Sequence, residues 1–375
     1  MGKKSFLIFG LSFFTVSFGV AAMAALIPSI AEYFVVKQVY AARLVWLYML
    51  PYGLFALVWP PLTRVVTLKK LFLSTAAGFC LSAFFFSAAG SVELAFLFRF
   101  LMGVFGCSFV PLILIAVGKT VPKKKKAKYI GSFFGISYIS TCVSVFLSRR
   151  WPWQWVYVVP ALLSLAVIIL AVKFLDQYDF RRAGLKVSYI RTFQEEKVKR
   201  FFLAVILGSF LYHGFQQWLG VYLKQTYSLA QVSISTIFTV ATVSAAAFEF
   251  LGGFFCSRIG NITLARLGFI LMGTFLGLFL TAGNYQKLYL FIVLWGAGWA
   301  FTHVGLCAHM AQFPDKILRD ASGLNSALRF SSGGLGAFIG GAVISRVGFH
   351  THFFIIALGV VLLGVYLNSL LEKTI

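Results

Sequence analysis

Ionisable side chains are scarce inside the apolar runs of this chain, so the few that occur there stand out. Arg99 lies in one such run in the first half, and His213, Glu249, His303 and Arg329 lie in others in the second half. A charge in hydrocarbon is costly, and such residues are functional candidates by default. Arg99 carries a fixed charge and a fork of donors suited to carboxylates or phosphates. Its readings are coordination of an anionic solute, control of a proton site, or a packing role in which backbone carbonyls hold the guanidinium. Glu249 and Arg329 suit a buried pair that neutralises both charges and gates or braces the helices. Proton carriage is the other reading of Glu249. His213 is followed a turn later by Gln216 and Gln217, with Trp218 beside them. Residues three and four apart share a helix face, so this stretch could line a polar ligand. Trp295, Trp299 and His303 recur every four residues, with His309 close to the same side. Histidine changes charge near neutral pH, and tryptophan offers stacking area for flat or cationic groups. For both histidines, satisfied packing competes with ligand or proton binding.

Other polar residues carry less chemistry. His350-Thr351-His352 is a minimal chelate with no third acid or cysteine nearby, and reads as loop histidines. No metal site and no cofactor is expected. Cys80, Cys107, Cys142, Cys256 and Cys307 form no CxxC pair and read as small buried hydrophobes.

The elements that position these groups follow from composition. With 60% hydrophobic, 18% aromatic and 11% charged residues, the chain departs from soluble make-up. A helix crosses a bilayer in about 20 apolar residues. Such runs occur at 6–30, 44–63, 71–90, 94–118, 129–147, 153–174, 201–223, 233–256, 264–283, 287–312, 322–346 and 350–370. This predicts an all-α integral membrane protein of twelve spans. Short connections leave no room for a soluble catalytic domain, and no carboxylate sits near a histidine in sequence, so no enzyme is expected. Lys3, Lys4 and the later Ala22-Met23-Ala24 resemble a secretory signal, but the apolar run continues past them and reads as a first span.

A formal charge of +23 would suit nucleic acid, but its placement does not. With the N-terminus cytoplasmic, 24 of the 33 Lys and Arg fall on cytoplasmic segments and seven on outer ones. Arg99 and Arg329 are the two left within spans. This is the positive-inside bias, and it predicts a multi-pass inner or plasma membrane protein with both termini cytoplasmic. The run Lys123–Lys126 is a topology signal that also suits anionic lipid.

The second half partly repeats the first at an offset of 192: Gly106 falls on Gly298, Pro122 on Pro314, Gly131 on Gly323 and Ser140 on Ser332. The expected organisation is a six-helix bundle over 1–175, a cytoplasmic linker over 176–200 and a second bundle over 201–375. Within the linker, Val187, Ile190 and Phe193 could line one face of a short surface helix; the mixed charge reads as a solvated connector. The run from Ser331 to Gly341, rich in glycine, predicts close helix packing in the eleventh span.

Two further stretches resemble the major facilitator superfamily. Arg99 to Gly106 is similar to the RxxxGxxxG-like signature of its fourth helix. Gly253-Phe254-Phe255-Cys256-Ser257-Arg258-Ile259-Gly260 resembles its GxxxDRxG loop motif, with Ser257 in place of Asp. The first-half counterpart keeps Arg64 but lacks both Asp and Gly. The resemblance implies two pseudo-symmetric six-helix bundles, a cavity lined mainly by spans 1, 4, 7 and 10, and alternating access. It also implies a conformational role for Arg64, Gly253, Ser257, Arg258 and Gly260, weakened by the missing Asp. The first span lacks a mid-membrane carboxylate and the fifth lacks the Gly-Pro pair of the drug-exporter signature.

The expected function is secondary active transport of a small amphipathic or weakly anionic organic solute, proton-coupled, and export rather than import. The alternatives are uptake of an anionic metabolite and, in a different class, a lipid flippase or a transport-dead receptor. Solute contact falls to Arg99, His213, Gln216, Gln217, Trp295, Trp299 and His303, with coupling or gating by Glu249, Arg329 and His213. The expected partners are the solute, protons and membrane lipids, with no nucleic acid, for a monomer. The 192-residue repeat places Arg99 opposite Phe291 and Pro111 opposite His303, so the scaffold is duplicated while the chemistry is not. Solute choice should lie mostly in the second bundle.

Overall fold

The computed structural model describes residues 2–177 and 188–372. Among these residues every regular element is a helix, as hydrocarbon demands of a backbone that must satisfy its own polar groups. Ten helical segments are long and apolar enough to cross a membrane. One of them, Gly323–Leu371, folds back at Gly348 (φ 79°) and holds two spans. A further span runs through Arg43–Phe55 and Trp59–Leu62, too short in each piece to cross alone. Together these make the twelve expected spans.

Three further spans are built from two helices each. The first is Lys3–Ser17 followed by Val20–Tyr33. The fourth is Val92–Gly106 followed by Phe109–Thr120. The seventh is Glu196–Gln216 followed by Leu219–Tyr227. The third, fifth and sixth are Leu68–Ser87, Lys123–Leu147 and Trp153–Phe174. The eighth, ninth and tenth are Gln231–Ile259, Asn261–Phe279 and Tyr285–Met310.

The chain divides into two compact units, Met1–Val187 and Ser188–Ile375. In the first, span 3 packs on spans 4 and 6, span 2 on span 4, and span 1 on spans 5 and 6. Buried Phe9, Phe72, Phe79 and Phe109 interlock edge to face at 5.6–5.8 Å between ring centres. In the second, span 10 packs on spans 8 and 9, and the last two spans on spans 7 and 9. The glycine run of span 11 supplies close approach: a Cβ at Gly336 would strike the Phe210 carbonyl, and one at Gly341 would lie 2.6 Å from the Trp218 ring.

Each unit ties its last span to a break in its first. In unit 1 the hydroxyl of buried Tyr157 donates to the Gly19 carbonyl at 2.7 Å. In unit 2 the Trp218 N–H turns to the Phe215 carbonyl, and His352 Nε2 donates to the Gly214 carbonyl at 2.9 Å. His352 is therefore no loop histidine. It lies within a helix, buried, because an interrupted span needs a donor.

The segment expected as the linker is described in part. Its middle, 178–187 with Val187, lies outside the described residues, as do the side chains of Lys123 and Lys124. Its later part belongs to unit 2. Tyr189–Gln194 is helical, and buried Asp320 accepts from the Ser188 N–H at 2.9 Å and the Thr192 hydroxyl at 3.3 Å. Span 7 already begins at Glu196, whose carboxylate pairs with Arg200 one turn on at 2.8 Å.

Candidate functional site

Unit 2 gathers most of its intramembrane polar residues in one cluster. Span 8 carries Glu249 and span 10 carries His303, and helix packing presents them to each other so that Glu249 Oε1 meets His303 Nδ1 in a hydrogen-bonded pair. The sequence offers Arg329 as a partner of Glu249; the Arg329 guanidinium lies over the Trp299 ring, 5.6 Å from its centre. Arg329 and Glu249 both act electrostatically on Tyr212, His303 and Cys307, so these groups share one electrostatic environment.

A ladder of rings leads to this pair. The four-residue spacing on span 10 stacks Trp295, Trp299 and His303, with Tyr212 of span 7 inserted between the tryptophans. Tyr212 lies 4.9 Å from Trp295 at 9° and 3.7 Å from Trp299 at 24°. Trp299 lies 6.0 Å from His303 at 5°. His213 stands edge-on to Trp299 at 6.5 Å, and its Nδ1 donates to the Ser209 carbonyl at 2.9 Å. The Ser209 hydroxyl donates to the Arg329 carbonyl at 2.6 Å, joining span 7 to span 11. A cavity of about 10 Å³ lies among Ser209, Trp299, Thr302, His303 and Arg329. That is water-sized, too small for an organic solute.

Gln216 and Gln217 sit beside this ladder, at the break of span 7. Both are buried, and neither Oε1 has a donor, so two acceptors stand ready beside Trp218. Trp218 itself is spent on packing, its Nε1 donating to the Ala337 carbonyl at 2.9 Å. Tyr212, Ser209 and Cys307 were missed in the sequence. Cys307 follows His303 by one turn and lies within its hydrogen-bonding reach, which i, i+4 spacing could have revealed. Tyr212 carries no such signal, since its role depends on spans 7 and 10 meeting. Among the described residues no group of three metal-binding side chains occurs.

Arg99 in unit 1 is 2% exposed. Aromatic rings enclose it, where backbone carbonyls had been one expectation. Its guanidinium carbon lies 4.2 Å from the Tyr48 ring centre, 5.1 Å from Tyr157 and 5.8 Å from Phe86. Gly103, four residues on, lets span 4 sit against the Tyr48 carbonyl of span 2. That contact brings the Tyr48 ring to Arg99.

Gly253 and Arg64 are exposed. The Ser257 hydroxyl turns back to the Phe254 carbonyl at 2.7 Å, and Arg258 rests on the Phe254 ring at 4.0 Å. Gly260 takes φ 85° between spans 8 and 9, a region open chiefly to glycine.

The fold has solved counterparts. The D-xylose–proton symporter superposes with a TM-score of 0.78 at 13% identity, covering 97% of this chain and 96% of its own. The nucleoside transporter NupG gives 0.75 at 15% identity, covering 98% and 100%. The human organic anion transporter MFSD10 (TETRAN) gives 0.71 at 15% identity, covering 97% and 98%. No curated protein sequence matches the chain. The family model of the Major Facilitator Superfamily matches residues 9–337. A transporter fold of twelve spans, with its polar groups held inside the helical units and matched by that model along nearly its whole length, identifies the chain as a member of the Major Facilitator Superfamily, a membrane transporter and not an enzyme.

Proposed function

We propose that this protein is a proton-coupled secondary transporter that exports a small amphipathic or weakly anionic organic solute by alternating access. The observation that carries the reading is the Glu249–His303 pair at the end of the Trp295–Tyr212–Trp299 ladder. A carboxyl bonded to an imidazole can exchange one proton between them. The adjoining rings offer flat apolar surface, and Arg329 supplies a charge that a proton or an anion must reckon with. His213, Gln216 and Gln217 contribute polar contacts, and Arg99 an anion contact. Arg64, Gly253, Ser257, Arg258 and Gly260 shape the short loops that move with the bundles. Export is favoured by the fourth-span signature and the loop motif, which look most like the efflux branch. We further assign both termini to the cytoplasm of a cell membrane, on the distribution of Lys and Arg, and a monomer among lipids as the working unit.

A second reading, uptake of an anionic metabolite, draws on buried Arg99. The test uses purified protein in liposomes loaded with a pH-sensitive dye. Nucleosides, sugars and organic anions are screened first by thermal stabilisation, since a ligand stabilises the state it binds. A hit should move protons across the membrane, and Glu249→Gln should keep solute exchange while losing the proton signal. Solute movement indifferent to an imposed pH gradient would rule out proton coupling. Everted vesicles give the direction by the sign of accumulation, and a fluorescent lipid separates a flippase from a solute carrier.

A further inference from the structure

We propose that Arg99 and Tyr48 form a small-anion subsite inside the first unit, selective for a single negative charge such as a carboxylate or a halide. Its place in transport rests on the proposed function; its existence does not. Arg99 is always charged and is 2% exposed. The described acids of unit 1 do not neutralise it: Glu32 and Glu93 are exposed, and Asp176 accepts from Ser5 at 2.8 Å. Its faces are covered by Tyr48, Tyr157 and Phe86, which stabilise a cation only in part.

The donors at its edge define the ligand. Nε is buried with no partner, and Nη1 has only the Met102 sulfur at 3.9 Å. The Tyr48 hydroxyl is also buried with no partner, on the ring closest to the guanidinium. Buried donors are rarely left without acceptors, and here two of them belong to side chains in contact. One acceptor with two lone pairs or two oxygens serves both, and the cation between the rings requires it to be anionic. The cage limits its size and charge. Three rings stand around one guanidinium, so a dianion such as phosphate would find one fixed charge where it needs two. Tyr157 and Phe86 add no donor, because the Tyr157 hydroxyl is already committed to Gly19. Selectivity therefore rests on Arg99 and Tyr48.

The charge could arrive as the carboxylate of the solute or as an inorganic ion moving with it. The test is chloride-35 NMR on the purified full-length protein, which reads chloride exchange with a protein site as excess linewidth. The wild type should broaden the line. Tyr48→Phe keeps the ring and should weaken chloride binding about tenfold, the scale of one hydrogen bond to a charged group. Arg99→Gln should abolish the broadening. Displacement of chloride by acetate and benzoate, but not by acetamide, assigns the site to a carboxylate solute. Chloride retained against both assigns it to an inorganic co-ion. Broadening that survives in Tyr48→Phe unchanged, or in a folded Arg99→Gln, overturns the subsite. Solute-driven proton flux without chloride broadening would leave the transport reading standing and remove this one; broadening without proton flux would do the reverse.

Discussion

Tyr157 and Gly19 are joined by a 2.7 Å hydrogen bond that unit 2 repeats with other residues, His352 and Gly214 at 2.9 Å. Both bonds connect residues 138 positions apart, and both run from the last span of a unit to the break in its first. Duplication has kept the clamp and changed its chemistry, phenol in one half and imidazole in the other. Tyr157→Phe and His352→Ala should each lower stability by about 1–3 kcal/mol, because each leaves a buried carbonyl unsatisfied. The clamps share no partner, so the losses should add. Thermal unfolding of the two variants and their combination in detergent measures this. A combined loss no larger than either alone would show that the clamps are not independent.

Much of this architecture was legible in sequence because hydrocarbon leaves helices little freedom. Apolar runs marked all twelve spans, and the glycines from Gly333 to Gly341 marked where span 11 meets span 7. The breaks in spans 1, 4 and 7 were not legible, since the residues around Gly19, Cys107 and Gln217 remain apolar or neutral and hydropathy passes over them. The contact of Glu249 with His303 was not legible for a related reason. Charge draws attention to Arg329, but which side chains meet is decided by how spans 8, 10 and 11 rotate against one another. Tyr212 stayed hidden because its neighbours in the ladder lie on another span. Arg99 was noticed for its charge; its cage of Tyr48, Phe86 and Tyr157 comes from spans 2, 3 and 6, far apart in the chain.

The Glu249–His303 contact makes a pairwise prediction. Glu249→Gln and His303→Gln should each destabilise the protein, and the double variant should cost less than the sum, with a coupling of about 0.5–3 kcal/mol as expected for contacting residues. The Glu249→Gln, Arg329→Gln cycle should give a smaller coupling, since Arg329 rests on Trp299 at 5.6 Å. Denaturation of the three single variants, the two double variants and the wild type reads both cycles. Equal couplings would return Arg329 to the place of a direct partner. In transport, Glu249→Gln should also flatten the dependence of rate on pH, because one titrating member of the pair is gone.

Asp320 fastens the chain that enters span 7. Its carboxylate holds the Ser188 N–H and the Thr192 hydroxyl, and Tyr189 packs 3.2 Å from where a Cβ on Gly323 would lie. Asp320→Ala leaves both donors unpaired at a cost of about 1–3 kcal/mol. The effect should be local, with faster amide exchange over Tyr189–Gln194 and little change in span 9. Hydrogen exchange with mass spectrometry resolves the two regions. Uniform acceleration across unit 2 would mean that Asp320 supports the whole unit and not this one attachment.

Two glycines in unit 2 separate packing from loop function. A Cβ on Gly336 would collide with the Phe210 backbone, whereas Gly253 of the loop motif is exposed with nothing within 4 Å. Gly336→Ala should therefore push spans 7 and 11 apart and cost about 1–3 kcal/mol, the usual penalty of overpacking. Gly253→Ala has no such conflict and sits in helical backbone, where alanine is favoured by up to about 1 kcal/mol. Stability should rise slightly or stay level. If Gly253→Ala nevertheless slows transport while leaving the melting temperature intact, its surface must be met by another part of the protein during the cycle, and the motif acts in motion. If it changes neither, Gly253 has no part in the cycle beyond its place in the helix.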